Sequence, residues 1–586
     1  MIIPPEMLGV LPYLGKPKSI PEDQANGSFV LELGFWGIVL LVAVVLLPFI
    51  RSDRWKRVKE RWRALSQPHW RAVLLVFLLA LGLRAALLPV LPIPDPSIHD
   101  EFSYLLGAQT LLAGRLTNPT PPLWEHFESF HINMRPTYQS MYSPGQALFL
   151  AAGQILFGHP WFGAWLSMGL ACAAICWMLQ AWVPPQWALL GALFYVLRFA
   201  TFSSSVNSYM AAPLPALGGA LVFGALPRLR RRRGLVPSLL LGCGLALLAY
   251  TRPYEGLVVS LPAACLLAWW VIRRRVSMKV IAPALGLAVL ALAALAYYNW
   301  RGTGNPLDMP YQNNWRQYHI TRMFLWQPKN PVPNYRHAGM RRMYCYWELP
   351  PYFRARLPGG LKEVLLEKLD TYYTGWCWPW LLLAVPAAWL MMRSPRLRPI
   401  PIALLLLLAA LLIIGWRPQP YYATPGAPLV VAVGVYGLRV LRIWRFRGRA
   451  AGWAAALSII LVLGSWMAIR LGQCVLNPYD QGDHGPYGIR VNRSRLVAEL
   501  NRLPERHVVI VNVPAWHDHG VDWVYNGPDM SQSKILWARD MGWERNQELA
   551  RYYAGRRIWI LYPDAAQVRL YPYPRGDRTG FVQPPL

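Results

Sequence analysis

Apolar residues gather into long uninterrupted runs, and most of the polar residues lie between them. The runs cover 29–50, 71–91, 161–183, 186–204, 209–226, 235–250, 256–272, 280–298, 376–392, 399–415, 424–441 and 451–469. A bilayer core of about 30 Å takes about 20 helical residues to cross, so each run predicts a membrane-spanning helix, twelve in all. A thirteenth run, 144–158, would rise only about 22 Å as a helix, and predicts an interfacial or re-entrant segment unless it spans as well.

Charge orients these helices. Basic clusters occupy the short connections Arg51 to Arg71, Arg228 to Arg233, Arg273 to Lys279, Arg393 to Arg398 and Arg442 to Arg449. Such loops face the cytoplasm. Alternating sides from the first cluster puts all five inside and the amino terminus outside. The outward segments are then 1–28, 92–160, 299–375 and 470–586. Segment 1–28 lacks a basic start followed by an apolar core, so the first span is expected to act as the insertion signal.

Composition changes the picture in two ways. At 55% hydrophobic and 15% charged, the chain is neither disordered nor collagenous. Its net charge of +30, from 59 Lys+Arg against 29 Asp+Glu, would point to nucleic acid in a soluble protein. Here much of it sits in short loops at one membrane face, so no nucleic-acid partner is expected. Those loops hold no GxxxxGK[ST] or GxGxxG phosphate loop, and the chemistry is expected outside the cytoplasm.

Residues 470–586 differ in kind. The runs His507 to Val513, Lys534 to Arg539 and Arg556 to Tyr562 read as strands, with helices around Arg495 to Leu503 and Gln547 to Tyr553. This alternation predicts a small α/β domain with parallel pairing. The fold class is an α-helical polytopic membrane protein with a small carboxyl-terminal extracytoplasmic α/β domain. Three parts are expected: an extra amino-terminal helix with its basic loop (1–70), a transmembrane core (71–469) and the α/β domain (470–586).

Candidate chemistry concentrates after the second run. Asp100 and Glu101 open a helix expected over Ile98 to Ala113. Successive helical residues point about 100° apart, so the two carboxylates cannot share one role. Asp100 shares its face with Tyr104 and Gly107, whereas Glu101 shares its face with Leu105, Ala108 and Leu112, which makes Asp100 the better candidate to meet substrate. Ser97 and Asp100 also fit an S-x-x-[DE] helix cap. Glu125, His126, Glu128, His131 and Arg135 follow in one loop with Tyr138 and Tyr142. Other outward turns supply Asn207, then Arg252, Tyr254 and Glu255 in YTRPYEG, then Arg301, Arg417 and Tyr421.

Arginine binds phosphate bidentately, aromatic faces pack sugar rings and an ionised carboxylate accepts a hydroxyl proton. No nucleotide-sugar is supplied outside the cytoplasm, so an activated sugar there must ride on a membrane lipid. The residues thus point to a lipid-linked group transferase. A transporter or flippase of lipid-linked saccharides is the alternative; it predicts ionisable residues along a central path, where only Glu32, Arg84 and Arg198 stand out.

The stretch HDEFSYL (His99 to Leu105) just after a membrane helix, the element Tyr142-Ser143-Pro144-Gly145-Gln146, and TGNPLDMPY (Thr303 to Tyr311) resemble the GT-C glycosyltransferase superfamily. Within it they are most similar to protein O-mannosyltransferases and aminoarabinose transferases. The resemblance implies a GT-C fold in a plasma membrane, as in the bacterial inner membrane, with an extracytoplasmic active site. It also implies a polyprenyl-phosphate sugar donor and transfer with inversion to a glycan, lipid or protein hydroxyl. It places the general base on Asp100, with Glu101 as the second member of the motif. A single Pro144 stands where relatives often carry a basic residue or a Pro pair, which shifts the expected phosphate contact to Arg135, Arg252 or Arg301. No cofactor is certain; a divalent cation is an open possibility, with His99, Asp100, Glu128 and His131 as candidate ligands. The triplet His517-Asp518-His519 reads as a polar turn.

Overall fold

Each of the twelve apolar runs carries a helix among its described residues in the computed structural model. The structure describes residues 22–50, 52–232, 234–377, 381–476, 493–514, 517, 521–565 and 568–574. Arg51 and Arg233 of the basic clusters, Asp518 and His519 of the polar triplet, and segment 1–21 lie outside the described residues.

The chain opens with α1 (Glu22–Phe49), whose Gly34–Phe49 part meets the basic α2 (Asp53–Leu65) at 103°. Ser52 makes the turn by accepting the Trp55 N–H at 3.2 Å, a side-chain N-cap. α3 (His69–Ala86) leads into the first large loop. This loop carries α4 (His99–Leu112), the antiparallel hairpin β1 (Ile132–Asn133) and β2 (Gln139–Ser140), and α5 (Gly145–Phe157). Six apolar helices follow: α6 (Trp161–Trp182), α7 (Pro185–Phe199), α8 (Pro213–Arg232), α9 (Leu235–Thr251), α10 (Pro253–Ile272) and α11 (Met278–Thr303).

The second large loop holds α12 (Pro310–Tyr318), α13 (Ala338–Arg341), a π-helical turn Arg342–Glu348, α14 (Leu349–Arg354) and α15 (Gly360–Tyr372). The helical core closes with α16 (Leu381–Arg393), α17 (Pro399–Leu412), a 3₁₀ turn Pro420–Gly426 running into α18 (Ala427–Leu441), and α19 (Ala451–Leu476).

Among the described residues, six stretches are long and apolar enough to cross a membrane: α3, α6, α10, α11, Pro420–Leu441 and α19, with α1 and α2 a bent seventh. The remaining runs fold as shorter helices or, in α8, end in arginines. The apolar runs had included irregular backbone such as 209–212 ahead of α8. The run 144–158 is indeed short, forming the 13-residue α5. Its start is pressed against α9: a Cβ on Gly145 would lie 2.6 Å from the Tyr250 carbonyl oxygen, so only glycine allows this approach. That contact sets the loop after Tyr142 beside Arg252.

The carboxyl-terminal domain is a four-stranded sheet in the order β4-β3-β5-β6, built from β3 (His507–Val511), β4 (Ile535–Arg539), β5 (Arg557–Leu561) and β6 (Leu570–Pro572). It packs with α20 (Arg493–Arg502) and α21 (Trp543–Tyr552). β3 is buried along its whole length and pairs in parallel on both sides, as its unbroken apolar run requires. The antiparallel β6 was not foreseen, being short and bounded by proline.

This domain grips the first loop. The Asp522 N–H donates to the Ser97 carbonyl at 3.0 Å, Ser129 Oγ donates to Asp522 at 2.6 Å, and Tyr138 donates to the Asn526 carbonyl at 2.6 Å. Arg493 lies over Phe102, with its guanidinium carbon 5.1 Å from the ring centroid.

Candidate active site

The two acidic neighbours of α4 have separate fates. Glu101 is fully buried and accepts the N–H groups of Ser97 (2.9 Å), Ile98 (3.2 Å) and Tyr209 (3.1 Å). The helix cap is therefore made by Glu101, and Asp100 does not turn back on Ser97 as the S-x-x-[DE] pattern suggested. Burial pushes the Glu101 carboxyl up to about 7 against the pull of those three N–H groups. Glu101 holds the start of α4 to the segment before α8 and does not reach the cavity.

Asp100, one residue earlier, turns into a cavity of about 160 Å³ between the two large loops and the ends of the apolar helices. Its Oδ1 lies 3.2 Å from His131 Nδ1, its Oδ2 lies 3.4 Å from His99 Nε2, and the Tyr142 hydroxyl donates to Oδ1. Tyr142 also lies 3.0 Å from His131 Nδ1 and stacks on Tyr104 with ring centroids 4.3 Å apart. Burial pushes the Asp100 carboxyl upward, but His131, His99 and the Tyr142 hydroxyl together outweigh it and hold the group well below the usual carboxylate range. Burial, and then the Asp100 charge, push the Tyr142 phenol up, so it remains a donor.

Local backbone explains this convergence. His131 has φ +58, a left-handed conformation that is costly for a side-chain-bearing residue. Its carbonyl is fixed there by Ser103 Oγ at 2.6 Å and the Met141 N–H at 3.0 Å. The hairpin of β1 and β2 then folds Tyr142 back beside it.

Arg252, between α9 and α10, lines the same cavity. Its guanidinium carbon lies 5.1 and 5.0 Å from the ring centroids of Tyr421 and Tyr422, and NH1 is 3.9 Å from Glu255. Burial alone would lower its pKa, but Glu255 and the tyrosines hold it above the ordinary value, so it stays charged. Tyr254, Glu255 and Arg417 also form part of the wall.

Several expected residues lie elsewhere. Asn207 is fully buried, accepting from Arg84 Nε at 2.8 Å and donating to the Thr201 and Ser203 carbonyls, which makes it a brace for a buried arginine. Arg135 is exposed and stacks on Trp124, and Arg301 is exposed on the end of α11. Neither lines the cavity. Glu128 is buried with Tyr318, Arg336 and His337, away from His99 and His131. One donor atom from each of His99, Asp100 and His131 falls within 4.8 Å of the others. Two imidazoles and a carboxylate at that spacing fit a divalent cation such as zinc, so the candidate set is these three, without Glu128.

A further part of the wall was not anticipated. It is formed by Trp315, His319, Trp347, Glu348 and Trp416. Glu348, in the π-helical turn, lies 2.8 Å from His319 Nδ1 and accepts from Thr321. Arg417 Nε donates to the Trp347 carbonyl at 3.0 Å, and Trp315 and Trp416 have centroids 4.8 Å apart. One signal was present in the sequence: Tyr311, Trp315 and His319 recur every fourth residue, one face of a helix.

No family model and no curated relative matches the sequence. Solved structures of similar overall arrangement do exist. ArnT from Cupriavidus metallidurans, bound to undecaprenyl phosphate, superposes with a TM-score of 0.49 at 13% identity, over 85% of this chain and 93% of its own. The Archaeoglobus fulgidus oligosaccharyltransferase in complex with Zn and sulfate gives 0.48 at 11% identity, over 84% of this chain and 67% of its own. These neighbours are GT-C glycosyltransferases.

Proposed function

We propose that the protein is a membrane glycosyltransferase that moves a sugar from a polyprenyl-phosphate donor to a hydroxyl acceptor at the extracytoplasmic face, with inversion. The observation that carries this reading is the shared cavity, which an ionised, three-partner carboxylate and a charged arginine framed by tyrosines both line.

In the proposed step the acceptor oxygen attacks the anomeric carbon as the bond from that carbon to the phosphate oxygen breaks. The electron pair leaves on phosphate, where Arg252 compensates the charge. The acceptor proton passes to Asp100. A carboxylate held this acidic is a weak base for a free hydroxyl, but the oxygen becomes strongly acidic as its new bond forms, so late transfer to Asp100 stays downhill. His131 and Tyr142 keep Asp100 ionised and fix its direction.

Arg252 sits where α9 passes into α10, at the end of the apolar bundle, which suits a phosphate tethered to a membrane lipid. Trp315, Trp347 and Trp416 come from connecting segments beyond the bundle, which suits an acceptor approaching from outside. A divalent cation held by His99, Asp100 and His131 would supply a positive charge beside the reacting oxygens.

Incubation of the purified protein with a radiolabelled polyprenyl-phosphate sugar and envelope extract tests this. The expected products are free polyprenyl phosphate and labelled acceptor. Donor recovered chemically unchanged, or moved intact between leaflets, would refute it.

A further inference from the structure

A second cavity, of about 570 Å³, opens at the other end of the helical bundle, between α2 and the ends of α7, α18 and α19. Tyr421 and Tyr422, just before α18, touch the candidate active site, whereas Arg442, just after it, lines this second cavity. A helix the length of α18 separates them by about 22 Å, so the two sites are distinct.

The second cavity joins an apolar floor to a cationic rim. Trp453 stacks on Trp187 at 6.0 Å and meets Trp55 edge-on at 5.6 Å. The Arg442 guanidinium carbon lies 5.6 and 5.7 Å from the Trp187 and Trp453 ring centroids. Lys59, Arg61 and Arg63 complete the rim, and among the described residues no carboxylate lines it. Arg439 and Arg63 add like charge beside Arg442.

Two residues of this lining carry a buried donor without a partner among the described residues: the Trp55 indole N–H, on a residue 8% exposed, and the Arg442 Nε–H. An unsatisfied buried donor is costly, and two of them in one cationic groove call for an acceptor-rich anion. Tryptophan at this depth and a basic helix lying across the bundle end place the groove at head-group level.

We propose that this groove binds one anionic phospholipid, whose phosphate accepts from Arg442 and Trp55 and whose acyl chain lies along the tryptophan and leucine floor. The lipid joins α2 to the core, where the Trp62 indole N–H also donates to the Gln186 carbonyl at 3.0 Å.

Native mass spectrometry and thermal melting of the full chain in detergent test it, with phosphatidylglycerol compared against phosphatidylcholine of the same acyl chains. One phosphatidylglycerol per chain is expected to be retained and to raise the melting temperature, whereas phosphatidylcholine and inorganic phosphate do neither. Arg442→Gln and Trp55→Phe should each weaken retention about tenfold, the loss of one charge-assisted hydrogen bond. Arg57→Gln, on the exposed face of α2, should leave it unchanged. Trp55→Phe keeps a ring in place and removes the donor, so it decides the matter if Arg442→Gln does not fold. Equal retention of the two lipids, an equal shift with inorganic phosphate, or wild-type retention in Trp55→Phe would overturn the proposal.

Discussion

Tyr142→Phe isolates the electrostatics of the cavity. The substitution removes the hydroxyl that donates to Asp100 and leaves the ring stacked on Tyr104 at 4.3 Å. A hydrogen bond to a charged group is worth about 1.5–3 kcal/mol, and one pKa unit corresponds to about 1.4 kcal/mol. The Asp100 carboxyl should therefore rise by about one to two units. The assay is the transfer rate as a function of pH. In the wild type Asp100 lies below the usual carboxylate range, so its protonation removes no activity until the pH falls below that range. In Tyr142→Phe the acid limb should move to higher pH by about the shift just given, with the alkaline side unchanged. Stability has the same sign. A depressed folded pKa stabilises above the unfolded value and loses that contribution as pH falls through the folded one, so the variant should melt lower than wild type at neutral pH. A rate that falls equally at every pH, with the acid limb unmoved, would refute the assignment of Asp100 as the titrating base.

Other variants separate the remaining roles. Arg252→Lys keeps the charge but loses the planar fork between Tyr421 and Tyr422; it should raise KM for the lipid-linked donor by about tenfold or more, measured by initial rates. Glu101→Gln keeps only one acceptor oxygen for the N–H groups of Ser97, Ile98 and Tyr209, and should cost about 1–3 kcal/mol of stability by denaturant titration while leaving both KM values near wild type. His319→Gln unseats the ring that Glu348 orients, and should raise KM for acceptor while the dissociation constant for polyprenyl phosphate stays unchanged by calorimetry.

The sequence carried the helical architecture because a long apolar run has few other uses, and it separated Asp100 from Glu101 because helix geometry alone turns them apart. Arg252, Glu255, Arg417 and Tyr421 were legible as interfacial residues at helix ends. Arg301 shares that description and Arg135 stands in the candidate loop, yet both lie exposed. Composition cannot tell a residue facing a cavity from one facing solvent or a head group; only packing does that, as when Gly145 against Tyr250 swings Tyr142 beside Arg252. The Trp315, His319 and Glu348 wall escaped notice because its members join across the irregular segment 319–337. His319 and Glu348 meet through a π-helical turn that no simple periodicity marks.

Asp100→Asn gives the most direct test. The variant keeps shape and one acceptor oxygen but has no charge and no basicity. Single-turnover measurement with saturating labelled polyprenyl-phosphate sugar and an acceptor-containing extract should show donor bound as in the wild type and sugar transfer reduced by about a hundredfold or more. Transfer at the wild-type rate would contradict the account.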